Sequence, residues 1–491
     1  MTDEQFAAWL SDPQALRTTL IEVAPLVDGV ATPMYLATVG YTTGAGDVPA
    51  NTPYLGICGV GIRYTEELSL TGDASLSAGD IEIYNYDATR DGWLAYVWKN
   101  TPIKAWIGDL RWPSRADFRM IFNGVSGGLD SRSREVLNLK IRDKLQRLNA
   151  PATEHKLGGT TQNKDEIVPL VFGEVHNISP LLTDPTQLEY QVHDGQVERI
   201  IEVRDNGLPV LITATLGTGK FKLNQSPAGT VTASVQGDKP STTYTNTIAG
   251  TIQRLVTGFG KASDRFTVDE IDAANFAAFE AAHPQPIGLP IGDRTNVLVA
   301  CQELAGSVGA QMVPSPLGQL RLLQVQLPPP GTPIDITPSM MVEKTLKIVQ
   351  TPDVVAAVKL GFCKNWTPQE GLQTSMPAEH KDLFATEWLT ETAVDSAVQA
   401  TYKLTADPVQ EDTLLLRRVD AAAEAARRLG LWKMQRFVFE FEGLPPCLPI
   451  ALGAAVRLWN ARFGLGAGKV GMVISRDPDW TTGRVTMRVL V

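Results

Sequence analysis

The sequence predicts a mainly β, multidomain protein: several small β-barrels or sandwiches, with an inserted α+β module of two helices and a hairpin. Three observations predict it. The 491 residues exceed what one core serves, so the length alone expects about three or four domains. Short runs of apolar and β-branched residues recur between turn residues, drawn from Gly 42 and Pro 32. Near residue 244 the hydrophobic period changes from two to 3.6, as it does where a helical module interrupts strands.

Along the chain, residues 4–10 read as a short helix leading through connecting sequence into Ile21 and Val23. Strands are expected at 34–40, 56–64, 80–84, 103–107, 118–122 and 136–142. In the last, Leu137, Leu139 and Ile141 alternate with Asn138, Lys140 and Arg142, the pattern of a half-buried strand. Asp143 then caps a short helix over 144–148, which ends before Pro151. This N-terminal barrel-like domain is placed at 1–151, and the polar stretch 152–166 is its boundary loop.

A second β-rich domain, 167–243, is expected from strands at 168–175, 188–193, 199–204, 210–216, 220–223 and 230–236, with Asp205-Asn-Gly207 as a turn. The α+β insert, 244–327, holds helices at 246–258 and 294–308, a capping box at Thr267-Val-Asp-Glu270 before Ile271, Phe276 and Phe279, and a strand at 319–326. The linker Pro328-Pro-Pro-Gly-Thr-Pro333 opens a C-terminal β-rich domain, 334–491. Its longest helix, 413–433, aligns Leu415, Val419, Ala422, Ala426 and Leu429, while Glu424 can pair with Arg428. Strands follow at 436–442, 455–460, 468–475 and 484–491, with 353–365 before the helix. Val485, Met487, Val489 and Val491 alternate to the last residue, so that strand is expected to be tied into a sheet.

Composition excludes several function classes. Hydrophobic residues are 43% and charged residues 20%, so the chain is not wholly disordered. A net charge of −10 argues against a protein built to grip phosphates. No run of about 18 apolar residues suits a transmembrane helix, so no membrane anchoring is expected. The first ten residues lack the basic and apolar regions of a Sec-type signal, which fits folding in a cytoplasm. Cys58, Cys301, Cys363 and Cys447 lie far apart without ligand spacing and read as reduced, buried thiols.

The motifs that suggest chemistry have simpler readings. Gly124-Val-Ser-Gly-Gly128 matches a nucleophile elbow, but another strand instead of a helix follows it, so it reads as a hairpin turn. Gly217-Thr-Gly-Lys220 and Gly464-Leu-Gly-Ala-Gly-Lys469 lack the first Gly and the Ser/Thr of a phosphate loop and read as hairpin glycines. The histidines, His155, His176, His193, His283 and His380, form no metal-binding pair, and His193-Asp194 reads as a turn. The acidic pairs Asp477/Asp479 and Glu66/Glu67 carry no spacing that selects them as general acid and base. Trp93, Trp98, Trp106 and Trp112 suggest a stacking platform for sugar or base, against core packing as the simpler account. Arg132, Arg134, Lys140, Arg142, Lys144 and Arg147 form a local basic cluster, a solvated face or a contact for an acidic partner. No catalytic, cofactor-binding or metal-binding residue is therefore assigned, no cofactor is expected, and the chain is not read as an enzyme.

Longer phrases carry a resemblance. Gly79-Asp-Ile-Glu-Ile-Tyr-Asn85, Asp91-Gly-Trp-Leu94, Ile107-Gly-Asp109, Phe122-Asn-Gly124 and Leu139-Lys-Ile-Arg-Asp-Lys144 resemble the N-terminal region of tail-tip proteins of long-tailed, siphovirus-like bacteriophages. Pro169-Leu-Val-Phe-Gly-Glu-Val-His176 with Tyr190-Gln-Val-His-Asp-Gly195 is similar to their next segment. Gly468-Lys-Val-Gly-Met-Val-Ile-Ser475, near Asp479-Trp480, is similar to their ending. The resemblance implies a structural virion protein of the tail tip: a baseplate hub, typically a homotrimer, that joins the tail tube to the distal tip and surrounds the path of the DNA. It implies as partners the distal tail or tail tube protein, the tape measure protein and other tail-tip proteins, with genomic DNA passing unbound. A hexameric distal tail ring, a receptor- or glycan-binding tip module and an envelope hydrolase are the alternatives. The expected channel wall is acidic and small polar, with the basic residues between 132 and 147 facing outward or meeting a protein.

Overall fold

The computed structural model describes residues 2–59, 61–70, 78–369, 372, 374, 376–405 and 407–491. The fold is mainly β, with several separate sheets; among the described residues every α-helix but Asp3–Leu10 lies in the second half of the chain. Two compact units are present. The first comprises Met1–Gln146, Val313–Asp353 and Gln435–Val491, the second Arg147–Met312 and Val354–Met434. Both are assembled from separated stretches: the four segments expected above divide the chain linearly, whereas these units divide it in space.

In the first unit, an eight-stranded sheet runs in the order Tyr41–Thr42, Pro53–Gly56, Met34–Ala37, Arg17–Val23, Pro102–Asp109, Arg119–Ser133, Val136–Arg142 and Ala78–Tyr84. Leu137, Leu139 and Ile141 face inward as the alternation requires, with Leu137 opposite Ile83 and Leu139 opposite Ile81. Of the barrel or sandwich that the sequence suggests, the closed barrel is not formed among the described residues. The chain that follows Pro53–Gly56 meets the sheet's last strand through the Cys58–Ile83 bridge, the Gly59 N–H on the Glu82 carbonyl at 3.0 Å and the Tyr84 N–H on the Ile57 carbonyl at 2.8 Å. The observed strand Pro53–Gly56 ends where the one expected at 56–64 begins; among its described residues after Gly56, Cys58 alone forms a bridge, and Val60 lies outside the described residues. A Cβ on Gly56 would sit 2.6 Å from the Gly40 nitrogen, so glycine there serves close backbone approach and not strand length.

A second large sheet of this unit, of seven strands, has the path Ile334–Ile336, Ala455–Leu458, Lys469–Asp479, Arg484–Leu490, Val438–Gly443 and Lys347–Gln350, with Glu66–Glu67 paired to Lys469–Asp479. One buried cluster unites the two sheets: Ile21, Ile103, Ile107 and Leu139 belong with Phe439, Phe441, Val473, Met487 and Val489. The final strand is tied in as expected, and the Val491 N–H donates to the Phe437 carbonyl at 2.9 Å. The helix Asp3–Leu10 starts at a capping box between Thr2 and Gln5 and buries Phe6, Trp9 and Leu10.

In the second unit, a five-stranded sheet runs Leu208–Pro209, Val197–Asp205, Val231–Asp238, Leu170–Ile178 and Gly288–Ile291. A four-stranded sheet runs Leu181–Asp184, Glu189–Gln191, Lys220–Leu223 and Ile212–Thr215. They share a core of Val171, Val175, Tyr190, Phe221, Ala233 and Val235. The helices Ile248–Gly258 and Val297–Gly306 lie within the ranges their 3.6 period predicts. The Thr267/Glu270 capping box is present, but it caps a short 3-10 turn; the helix carrying Phe276 and Phe279 begins at Ala273 under its own cap, Asp272.

A three-stranded sheet, Leu389–Val394, Ala357–Phe362 and Gln410–Asp412, supports the longest helix, Arg418–Trp432. This helix starts later than expected because Thr413, Leu414 and Leu415 are buried in extended chain instead. Its inward stripe is Ala421, Ala425 and Leu429, one position off the predicted Ala422 and Ala426, and Val419 is 69% exposed. Glu424 does pair with Arg428, at 2.7 Å, but from a buried position that also takes Arg427 at 2.7 Å. The two guanidiniums reach on to the Val308, Gly306 and Ser307 carbonyls at the end of the helix Val297–Gly306. They cap carbonyls at that end, of which the Gly306 carbonyl also takes the Gly309 N–H at 2.9 Å, and place positive charge at the helix's negative end.

Candidate functional site

Among the described residues no group of three or more His, Cys, Asp or Glu side chains could hold a metal ion. No helix among them is long and apolar enough to cross a membrane. What the fold does assemble is a set of buried polar anchors. Asp109, at the end of Pro102–Asp109, is fully buried and receives the Trp9 indole N–H at 3.0 Å, the Leu16 N–H at 3.1 Å and the Arg111 guanidinium at 2.7 Å. The Arg111 hydrogen bonds hold its carboxyl well below the usual range, against the opposing effect of burial. One carboxylate thus fixes the N-terminal helix, the chain after it and the strand's own exit.

Asn85 makes a second anchor: it is buried, and its amide donates to the exposed Asp91 at 2.7 Å and accepts from the Arg90 N–H at 3.0 Å. Asp143 accepts the Leu145 N–H at 2.8 Å, as the predicted cap should. Burial pushes its carboxyl up to about 6, opposed by that hydrogen bond. Glu66 is buried against Arg476, 3.2 Å from its Nε, and burial raises its pKa despite Arg476 and Arg321.

His193 lies in a bend after the strand Glu189–Gln191, as the sequence reading places it. What that reading does not anticipate is its burial, at 1% exposed. Its Nδ1 accepts the Val171 N–H at 2.9 Å, which leaves Nε2 to carry the ring proton towards Asp238 Oδ1, 3.4 Å away. Arg254 grips the same carboxylate at 2.6 Å and 3.2 Å. Burial would raise the Asp238 pKa, but His193 and Arg254 together bring it below the ordinary value. A His–Asp pair is half of a hydrolytic relay, yet here both ring nitrogens are engaged in structural bonds and Phe172 meets the ring edge-on at 6.3 Å. The triad is a buried brace. Its partners lie 45 and 61 positions from His193, so adjacent sequence gives no sign of them.

The other motifs separate in the same way. Ser126 lies inside the strand Arg119–Ser133, fully buried at a register shift, and not in a hairpin turn. Both failed phosphate loops do connect antiparallel strands, Ile212–Thr215 to Lys220–Leu223 and Ala455–Leu458 to Lys469–Asp479. Asp479 pairs with Arg63 and Glu67 with Arg488, at 3.5 and 3.3 Å. Trp98 and Trp106 are buried, Trp112 packs on Trp9 with centroids 4.8 Å apart, and Arg115 covers Trp106 at 4.1 Å. This cluster is core packing, with Trp93 lining a shallow groove of about 250 Å³ beside Met34 and Leu55. In the basic cluster Arg132 pairs with Glu82, Lys140 with Asp130 at 2.5 Å, and Arg147, in the second unit, with Glu270 at 2.6 Å. Cys58, Cys301 and Cys447 are buried free thiols and Cys363 a half-buried one; burial pushes Cys58 up to about 12 and Cys447 to about 11.

No protein-family model matches the sequence, and no curated protein does. Solved structures do. The 43 kDa tail protein of prophage MuSo2 from Shewanella oneidensis is similar over 97% of this chain and 98% of that one, at 10% identity and a TM-score of 0.42. A tail protein from Neisseria meningitidis MC58 is similar over 96% of both, at 10% identity and a TM-score of 0.40. A chain of the native gene transfer agent virion is similar over 71% of this chain and 91% of that one, at 12% identity and a TM-score of 0.44.

Proposed function

We propose that this chain is a structural protein of a phage-type tail tip, a baseplate hub that joins the tail tube to the distal tip and forms part of the DNA conduit. One observation carries the reading. The phrases that resemble tail-tip proteins hold most of the buried polar anchors: Asn85, Asp109, Asp143 and His193 fall within them, while Glu66 and Asp238 lie outside. In the phrase 169–176, Gly173 holds a φ of +64°, and a Cβ there would lie 2.0 Å from the Ile287 carbonyl oxygen. These are residues that specify a shape, as a scaffold requires, and their polar groups are spent on one another.

The reading includes a homotrimer, contacts with the distal tail or tail tube protein and the tape measure protein, location in the virion after assembly in the host cytoplasm, and no catalysis. The pairing of Arg132 and Lys140 with acidic neighbours supports a surface that leaves passing DNA unbound. Immunogold labelling of purified particles with an antibody raised to this chain tests the placement. Label at the tip of the tail is expected; label on the head, along the tail shaft or on no particle contradicts it.

A further inference from the structure

Sheet edges invite pairing, and proteins blunt them with charge, proline, bulges or brevity. Nearly every edge among the described residues is blunted in this way. Tyr41–Thr42, Leu208–Pro209 and the small Leu26–Val27 and Val30–Ala31 pair are two residues long. Ala78–Tyr84 carries Asp80 and Glu82, and its carbonyls at those positions accept N–H groups from Arg63 and Gly59. Gly288–Ile291 contains Pro290, Leu181–Asp184 carries Asp184 at a register shift, and Ile334–Ile336 carries Asp335. Lys347–Gln350 begins with a lysine and is bulged, while Leu389–Val394 and Gln410–Asp412 carry acids.

The strand Ile212–Thr215 has none of these devices. From Asn206 to Gly219 the chain bears no charged residue, and the strand itself is Ile-Thr-Ala-Thr. It ends the four-stranded sheet, with Lys220–Leu223 as its one strand neighbour among the described residues. Leu211 and Leu216, on either side, are 82% and 40% exposed.

The register states what would fit there. Ile212 and Ala214 stand opposite Leu223 and Phe221, on the face that covers the core, whereas Thr213 and Thr215 stand opposite Lys222 and Lys220 on the outer face. A strand added at this edge meets apolar neighbours at alternate positions and, on the other face, a row of threonines backed by lysines. We propose that Ile212–Thr215 is a docking edge for an extended segment of a partner protein, aliphatic on one face and acidic on the other. Open main-chain groups supply the affinity and the alternation sets the register. The lysines select the sign of charge, Glu189 at 2.9 Å from Lys220 and 3.8 Å from Lys222 offsetting only part of theirs.

The test uses the full chain and two labelled synthetic peptides, four Val-Glu repeats and four Val-Lys repeats, with fluorescence anisotropy and amide hydrogen exchange. The Val-Glu peptide is expected to bind and to protect 211–216, with the Val-Lys peptide roughly tenfold weaker. Leu211→Lys with Leu216→Lys alters only exposed side chains and should weaken binding by a similar factor, as should Ala214→Pro. Equal binding of both peptides, protection elsewhere, or no binding at millimolar peptide overturns the proposal. So does concentration-dependent dimerisation that protects 211–216 without peptide, which would make a second copy the occupant. None of these outcomes depends on where the chain sits in a particle, so this edge and the tail-tip reading stand or fall separately.

Discussion

The residues that hold this fold most firmly are polar and buried. Asp109 and Asp143 respond to pH with opposite signs. The depressed pKa of Asp109 gives a contribution complete above the ordinary carboxylate range and lost as pH falls through the lowered value. Asp109→Ala strands the Trp9 and Leu16 N–H groups and should cost about 3 kcal/mol at neutral pH, read from urea unfolding. Asp143 is raised to about 6, so the folded state holds its proton where the unfolded chain has lost it, and stability falls as pH rises from about 4 to 6. Asp143→Asn keeps an acceptor for Leu145 and removes that slope. Between pH 4 and 7.5 the wild type should lose roughly 2 kcal/mol relative to the variant; parallel pH profiles for the two would contradict it. The Asp143 cap is legible because it acts on the residues directly after it. Asp109 and His193 are not, since their partners come from distant strands and helices.

At the level of elements, periodicity located most strands and helices, and it failed where burial is two-sided. The long helix is rich in alanine, so a shift of one position changes the apolar count of a face very little. Only contact with Val358 and Leu360 selects Ala425 and Leu429. Ala425→Leu should overpack that contact and cost about 1–3 kcal/mol, whereas Ala426→Leu, on the exposed side, should stay within about 0.5 kcal/mol. Equal effects of the two in thermal unfolding would contradict the assigned face. The strand Arg17–Val23 passed for connecting sequence because its burial pattern is nearly continuous, leaving no alternation to detect.

For the whole molecule, the mainly β class was legible, and the sharing of one core by strands from both ends of the chain was not. No local pattern records that Phe439 and Met487 pack in the same cluster as Ile21 and Leu139. The conduit reading makes a prediction at this scale. With a net charge of −10 and with Arg132, Lys140 and Arg147 of its basic cluster held by acids, the isolated protein should bind duplex DNA weakly between about 50 and 200 mM salt. Tight binding at low salt that disappears in an Arg134/Lys140/Arg142 triple alanine variant would mean the cluster faces the DNA. The hub assignment itself is tested most directly by a reconstruction of the intact particle with its rotational symmetry left free. Three copies of this chain around the axis at the tail tip are predicted. Six copies in a ring, as in a distal tail protein, or density for the chain away from the tail would contradict it.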